Sequence, residues 1–76
     1  MPRFHFDIRE NGRLIADDDG HELANAGDAR KEAVLTGAAI ARDVFVAGSA
    51  HRVVVDVRED GTPCLKVSIT LEVEEA

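Results

Sequence analysis

Apolar and polar residues alternate along four segments of the chain, and one helical pattern separates the second segment from the third. The first alternating segment covers residues 3–9, and the last covers residues 65–73. The apolar positions of the last segment are Leu65, Val67, Ile69, Leu71 and Val73. Successive side chains of a strand point to opposite faces, so each segment places its apolar set on one face of a sheet. The pattern predicts an α+β domain with ββαββ architecture, a four-stranded antiparallel sheet with one helix packed on one face.

Two dipeptides typical of tight turns close the predicted hairpins. Asn11-Gly12 returns the chain as a short second strand over residues 13–16, and Asp60-Gly61 joins the third strand, residues 52–58, to the fourth. A short extended segment at residues 21–23 precedes the helix. We favour the strand order second-first-third-fourth, because the helix carries the chain back and makes the first and third strands antiparallel neighbours. The order second-first-fourth-third stays open.

The helical pattern predicts one helix from Asn25, as its N-cap, to about Ala47, with Gly48 as a left-handed stop. The stripe that should face the sheet consists of Ala29, Ala33, Gly37, Ile40 and Val44. A second apolar stripe lies beside it and consists of Val34, Ala38, Ala41 and Phe45. Either strand twist and loops cover this second stripe, or it is a self-association face.

The end of the last strand is a second candidate interface. In a hairpin closed at Asp60-Gly61, residues beyond about Thr70 run past the start of the third strand. Leu71 and Val73 therefore need the first strand, the helix end or another subunit as a partner. The interface prediction names Val34, Ala38, Ala41, Phe45, Leu71 and Val73.

Seventy-six residues fit one domain, residues 1–76, whose core is small and whose stability is modest. Cys64 is the single cysteine, so no disulfide within the chain can reinforce the fold. Oligomerisation, as a homodimer, is the reinforcement that we expect. The unpaired cysteine, the absence of a leading apolar run and the absence of a long apolar stretch favour a cytoplasmic protein without a membrane span.

The charge balance narrows the class of partner. Fifteen acidic and nine basic residues give a net charge of −6 and a pI near 4.8, which disfavours nucleic acid as a partner. The few aromatic residues do not form a stacking platform either, because Phe4 and Phe6 share the inward phase of Ile8. Proteins, cations and small polar ligands stay open, and a second copy of the chain or another protein is the favoured partner.

Two groups of polar residues are candidates for chemistry. The first is the acidic loop over residues 17–22, with the possible ligands Asp17, Asp18, Asp19, His21 and Glu22. The calcium-loop pattern fails there, because Ile15 and Ala26 occupy two ligand positions. We expect a solvated acidic loop and no metal site.

The second group is His5, Asp7 and Asp56, which project from the outer sheet face, where a carboxylate could orient an imidazole as a general base. An open sheet face offers water rather than a cleft. Cross-strand pairing with Arg9, Arg58 and Lys66 is therefore the favoured interpretation. Cys64 has no neighbouring histidine or cationic cluster that would make it a thiolate, and it is expected to be a buried or half-buried small hydrophobe. No catalytic residue and no cofactor is predicted.

Three segments carry a family resemblance. They are residues 2–9 followed by Asn11-Gly12, residues 19–23, and residues 29–33 with the sequence ARKEA. Together they resemble small proteins of alphaproteobacteria with the pattern PRYFFHxRDG, then D-x-x-G-x-E-L, then a helix entered with A-R-x-E-A. The histidine near the start stands one position earlier here than in that pattern. The resemblance implies a domain of unknown function and brings no catalytic residue.

The sequence thus predicts a small, non-enzymatic binding module that self-associates. Two alternatives stay open. One is a small metal- or ligand-dependent enzyme that uses His5, Asp7 and Asp56 or the acidic loop. The other is an antitoxin-like regulator, since the front half distantly resembles modules that pair a strand hairpin with a helix.

Overall fold

The computed structural model describes residues 1–76 and contains five strands and one helix. These elements are β1 (Arg3–Glu10), β2 (Arg13–Ile15), β3 (His21–Glu22), α1 (Ala26–Ala47), β4 (Arg52–Glu59) and β5 (Thr62–Thr70). The sheet order is β2-β1-β4-β5, and all strand pairs are antiparallel. The α+β class and the favoured strand order are confirmed.

The edge of β1 opposite β4 is shared by two short strands rather than one. β2 pairs with the end of β1 through Ile8, Arg9 and Glu10, and β3 pairs with its start through Arg3 and Phe4. The sheet therefore has a fifth strand where the sequence predicted only a short extended segment. Residues 16–20 leave the sheet between the two, so β1 has no strand partner on this side at its middle.

Helix α1 has the predicted caps. The Asn25 side chain accepts a hydrogen bond from the Asp28 N–H at 2.9 Å, and Gly48 ends the helix in the left-handed conformation. The residues of α1 buried against the sheet are Ala29, Ala33, Gly37 and Ala41. The sheet-facing stripe thus includes Ala41, which the sequence pattern placed in the second stripe, while Ile40 and Val44 are half-buried. The difference arises because 3.6 residues per turn let the buried stripe drift around a helix of 22 residues.

The core lies between α1 and the inner faces of β1, β4 and β5. Its largest fully buried side chains are Phe4, Val53, Val55 and Val57. Gly37 lets the helix approach the sheet closely, because a Cβ at this position would lie 3.0 Å from Ile69 Cδ1 and 3.1 Å from Val55 Cγ2. As predicted, Phe4 and Phe6 point into this core and do not face water.

Strand β5 begins earlier and ends earlier than the alternating pattern predicts. It ends at Thr70, opposite Arg52, because β4 has no further residues to pair with residues 71–73. Near the turn, the pairing shifts so that Val57 faces Leu65 and Arg58 faces Pro63, which leaves Cys64 as the extra residue of a β-bulge. The prediction that Cys64 is buried or half-buried is wrong: it is exposed, because it lies in the bulge of an edge strand, and it forms no disulfide.

Helix α1 lacks the combination of length and apolar character that crossing a bilayer requires.

Candidate functional site

The side chain of Asp17 holds the acidic loop against the edge of β1 by hydrogen bonds. Its Oδ2 accepts a hydrogen bond from the Phe6 N–H at 3.1 Å, and its Oδ1 accepts one from the Gly20 N–H at 3.0 Å. Phe6 lies in the middle of β1, where neither β2 nor β3 pairs with the strand. The carboxylate therefore replaces the missing strand partner. It accepts a hydrogen bond from a backbone N–H that no neighbouring strand pairs with.

The backbone of Asp17 is held as firmly as its side chain. Its N–H donates to Asp7 Oδ1 at 2.9 Å, and its carbonyl accepts from His5 Nδ1 at 2.9 Å and from Arg58 Nη2 at 3.1 Å. Because a carbonyl only accepts, the His5 proton resides on Nδ1. The backbone of Asp17 thus holds the loop against side chains on the outer face of the sheet by hydrogen bonds.

Ion pairs connect neighbouring strands on the outer face. Arg58 forms a bidentate ion pair with Asp7. Its Nε lies 2.7 Å from Oδ2, and its Nη2 lies 3.1 Å from Oδ1. Arg9 Nε lies 2.8 Å from Asp56 Oδ2. Both pairs join β1 to β4, so the predicted cross-strand pairing is confirmed for these residues, whereas Lys66 forms no ion pair.

These contacts shift three pKa values. The hydrogen bond from Arg58 lowers the pKa of Asp7, and the same contact raises the pKa of Arg58. Burial by itself raises the pKa of Asp17, but the amide hydrogen bonds from Gly20 and Phe6 favour the charged form, and the net pKa is lowered. Both carboxylates are therefore held in the ionised state that their partners require.

The lowered pKa values predict that the protein loses stability in acid. A carboxyl group whose pKa is lower in the folded than in the unfolded state contributes stability above its ordinary value of 3.8, and this contribution disappears as the pH falls through the folded value. We expect the urea midpoint to hold from about pH 6 to about pH 4 and to drop below that.

The matched variants are Asp7→Asn and Asp18→Asn. The first removes one of the two shifted groups and should flatten the acid limb of the curve. The second removes an exposed carboxylate from the same loop and should leave that limb unchanged. Identical acid limbs for all three proteins would contradict a role for Asp7.

The structure does not connect the three residues of the predicted alternative catalytic group. His5 is bonded to the Asp17 carbonyl, Asp7 to Arg58 and to the Asp17 N–H, and Asp56 to Arg9. The depression beside Asp7 and Asp56 has a volume of about 420 Å³ and is open to solvent. No carboxylate orients the imidazole, and both oxygens of Asp7 already accept hydrogen bonds from Arg58 or the Asp17 N–H.

The acidic loop does not gather its side chains around one point. Asp17 faces two backbone amides, and Glu22 turns to Arg3, whose Nη2 lies 3.3 Å from Oε1. No group of three or more His, Cys, Asp or Glu side chains has a geometry that could hold a metal ion. Asp18 and Asp19 are exposed, as the solvated-loop interpretation expects, but Asp17 is not.

The predicted interface residues lie in two different environments. Ala41 is only 3% exposed within the core, and Phe45 is half-buried against it. Val34 is 41% exposed, and Ala38 is also exposed. On the helix, the interface prediction therefore depends on these last two residues. Leu71 and Val73 are 37% and 67% exposed, just beyond the end of β5.

Strand β5 has a free edge along its whole length, because β4 pairs with its other side only. The Leu71 N–H donates to the His51 carbonyl at 2.9 Å, which identifies the hydrogen-bonded phase of the β4–β5 ladder. Hydrogen-bonded and non-hydrogen-bonded pairs alternate in an antiparallel ladder. The backbone N–H and C=O groups that point to the free edge are therefore those of Lys66, Ser68 and Thr70.

Sequence reasoning missed the structural role of Asp17. The signal was the D-x-x-G spacing from Asp17 to Gly20, in which an aspartate can accept a hydrogen bond from a nearby backbone N–H. Three consecutive aspartates concealed it, because nothing local distinguishes the first of them from the other two. Only the pairing of β1 shows which aspartate meets an unpaired amide.

Together these features define a small α+β domain in which one helix packs on an antiparallel sheet whose outer face is covered by ion pairs and a fastened acidic loop. The family model of a domain of unknown function, DUF6894, matches residues 3–70, and the chain belongs to this family. No curated protein and no solved structure matches the chain. Membership in a family of unknown function is thus confirmed, and the bacterial origin implied by the resemblance stays a prediction.

Proposed function

We propose that the protein is a non-enzymatic interaction module that self-associates by pairing the free edge of β5 with the same edge of a second copy. The observation that carries this proposal is the continuity of the alternating pattern past the end of β5. Leu71 and Val73 continue the inner-face phase of Leu65, Val67 and Ile69. Beyond one hydrogen bond from the Leu71 N–H to the His51 carbonyl, the monomer offers residues 71–73 no strand partner.

The distribution of edge-protecting features along β5 supports the same region as the interface. Proteins commonly prevent unwanted pairing at a free edge strand with proline, β-bulges or charged side chains. Pro63 and the bulge at Cys64 blunt the end of β5 near the turn. From Leu65 to Thr70 the edge is regular, and Lys66 is its one charged residue. This unprotected part is continuous with residues 71–73.

One pairing register places apolar side chains opposite apolar side chains and also brings opposite charges together. An antiparallel pair centred on Ile69 places Leu65 opposite the partner's Val73 and Val67 opposite the partner's Leu71. On the outer face it places Lys66 opposite the partner's Glu72. In this register the backbone hydrogen bonds between the two copies form at the residues whose N–H and C=O groups point to the free edge. The pairing adds about eight hydrogen bonds.

The surface of the monomer supports an association of this kind. A folded monomer of 8.2 kDa should expose about 4,500 Å², whereas this chain exposes 5199 Å² and buries only 11 of its 76 residues. Residues 71–76 are all exposed. Pairing the β5 edges covers the apolar positions in this segment and extends the core across the two subunits.

A charge swap tests the register. Lys66→Glu and Glu72→Lys, made singly, each replace two attractive contacts per dimer by two repulsive ones and should weaken dimerisation about tenfold. The double variant restores both contacts and should recover most of the wild-type dissociation constant. Lys31→Glu on the exposed helix surface makes the same charge change away from β5 and is the control. Sedimentation velocity over a concentration series measures each constant.

A proline tests the edge itself. Ser68→Pro removes an N–H that points to the free edge and leaves the β4–β5 hydrogen bonds in place, so the fold should persist and the dimer should be lost. Ser68→Ala keeps the N–H and should dimerise. A wild-type protein that stays monomeric at about 100 µM would reject self-association. A dimer that Ser68→Pro leaves intact would reject the β5 edge and favour the helix surface of Val34 and Ala38.

A further inference from the structure

A cleft lies at the end of the sheet where the β1–β2 turn meets the start of β4. Its volume is about 540 Å³, within the range of small-molecule sites. Arg9, Arg13, Arg52 and Lys66 are among the residues that line it, and Glu10 is the one acidic residue in its wall. Four of the nine basic residues of the chain thus surround a single opening, together with one of the fifteen acidic residues.

Three of the four basic residues of the cleft form no ion pair. Four Lys and Arg side chains of the protein form ion pairs, and Arg9 is the one of these that lines the cleft. The basic residues without an ion pair are Arg13, Arg30, Lys31, Arg52 and Lys66. Three of these five lie in the wall of the cleft, on three different strands. Cations brought together without partners repel one another, and an anion between them would relieve that repulsion.

We infer that this cleft binds a small anion that carries phosphate groups. Guanidinium groups match the geometry of phosphate oxygens, because each presents two parallel N–H donors. Val54 closes the floor, since it is only 6% exposed although it points to the outer face. The rest of the surface carries an excess of negative charge, which opposes long polyanions and leaves a small ligand as the fitting occupant.

Apart from Lys66, the basic residues of the cleft lie away from the proposed dimer edge. Arg13 belongs to β2 and Arg52 to β4, and β5 alone carries the free edge that the dimer uses. Lys66 is shared, because the proposed dimer sets it opposite the partner's Glu72. The two arginines are therefore the residues to substitute, and the test does not depend on the oligomeric state.

Inorganic pyrophosphate is the probe, followed by the backbone amide signals in two-dimensional NMR at constant ionic strength. We expect shifts concentrated at Gly12, Arg13 and Arg52, saturating below about 10 mM. Arg13→Ala and Arg52→Ala should each weaken binding roughly tenfold, as expected for a charged hydrogen bond. Arg30→Ala removes an unpaired cation from the helix and should leave the affinity unchanged. Succinate at the same concentration should bind more weakly.

Several results would overturn the inference. They are the absence of shifts at about 10 mM pyrophosphate, shifts centred outside the cleft, and equal affinities for Arg13→Ala, Arg52→Ala and Arg30→Ala. Tighter binding of a single-stranded oligonucleotide at the same phosphate concentration would also contradict a small anion as the ligand. The exposed positions of both arginines make the variants compatible with the fold, and circular dichroism checks this.

Discussion

Replacing Gly20 by alanine is expected to lower the free energy of unfolding by about 3–4 kcal/mol, the largest single effect that we predict. Gly20 has φ +74°, and a Cβ there would lie 2.9 Å from the Phe4 carbonyl oxygen and 2.9 Å from His5 Cε1. The Phe4 oxygen belongs to the backbone of β1 and cannot move without shifting the sheet. The substitution therefore adds a clash to the cost of a left-handed conformation.

Gly12→Ala is the matched control for the conformational part of this cost. Gly12 has φ +75°, almost the same as Gly20, but no atom lies within 4 Å of a Cβ built there. We expect a loss of about 1 kcal/mol from the left-handed conformation alone. The difference between the two variants isolates the contact of the loop with β1.

Urea unfolding followed by circular dichroism measures both losses. A domain of 76 residues has a total stability of about 4–11 kcal/mol, so Gly20→Ala should leave a marginal fold with a melting temperature lowered by more than 10 °C or so. Equal losses for the two alanine variants would mean that the acidic loop does not press against β1. In that case, the loop would be free to move, and its role as the edge of the sheet would be refuted.

The order of the elements could be predicted because each depends on a local pattern. Alternation identified β1, β4 and β5, the two turn dipeptides fixed the hairpins, and Asn25 and Gly48 bounded the helix. Chain direction also favoured antiparallel pairing of β1 with β4, although it left the order second-first-fourth-third open until the sheet was known. These features require no knowledge of the surroundings of a residue.

The limits of β5 and of the buried helix stripe depended on neighbours instead. Residues 71–73 have a strand pattern but no strand to pair with, since β4 begins at Arg52. Ala41 belongs to the core because the buried stripe drifts around the helix axis, whereas the sequence pattern assigned it to the neighbouring stripe. A pattern gives the face that a residue prefers, and only the partner shows whether that face is covered.

The candidate site was harder to predict for the same reason. The pairs Asp7–Arg58 and Arg9–Asp56 were expected as a class, because opposite charges face one another across strands. The clustering of Arg13, Arg52 and Lys66 was not expected, since the three residues are far apart in sequence. Their proximity results from the sheet order, which places β2 and β4 on either side of β1 and β5 next to β4.

Replacing Asp17 by alanine should lower the free energy of unfolding by about 2–3 kcal/mol, the second largest effect that we predict. The carboxylate accepts the Phe6 N–H and the Gly20 N–H on different oxygens. Alanine leaves both amides without an acceptor where the sheet supplies none. Because an asparagine side chain has only one oxygen, Asp17→Asn should retain one of the two contacts and lose about half as much stability.

The neighbouring aspartates serve as controls with the same charge and nearly the same position. Asp18 and Asp19 are exposed, and the contact from Arg3 goes to the backbone carbonyl of Asp19, which alanine retains. Asp18→Ala and Asp19→Ala should therefore change stability by no more than about 0.5 kcal/mol. If all three alanine variants lost the same stability, the net charge of the loop would be responsible. A loss confined to Asp17 would identify its carboxylate as the substitute for a strand, which makes this residue and Gly20 the two positions that hold the loop on β1.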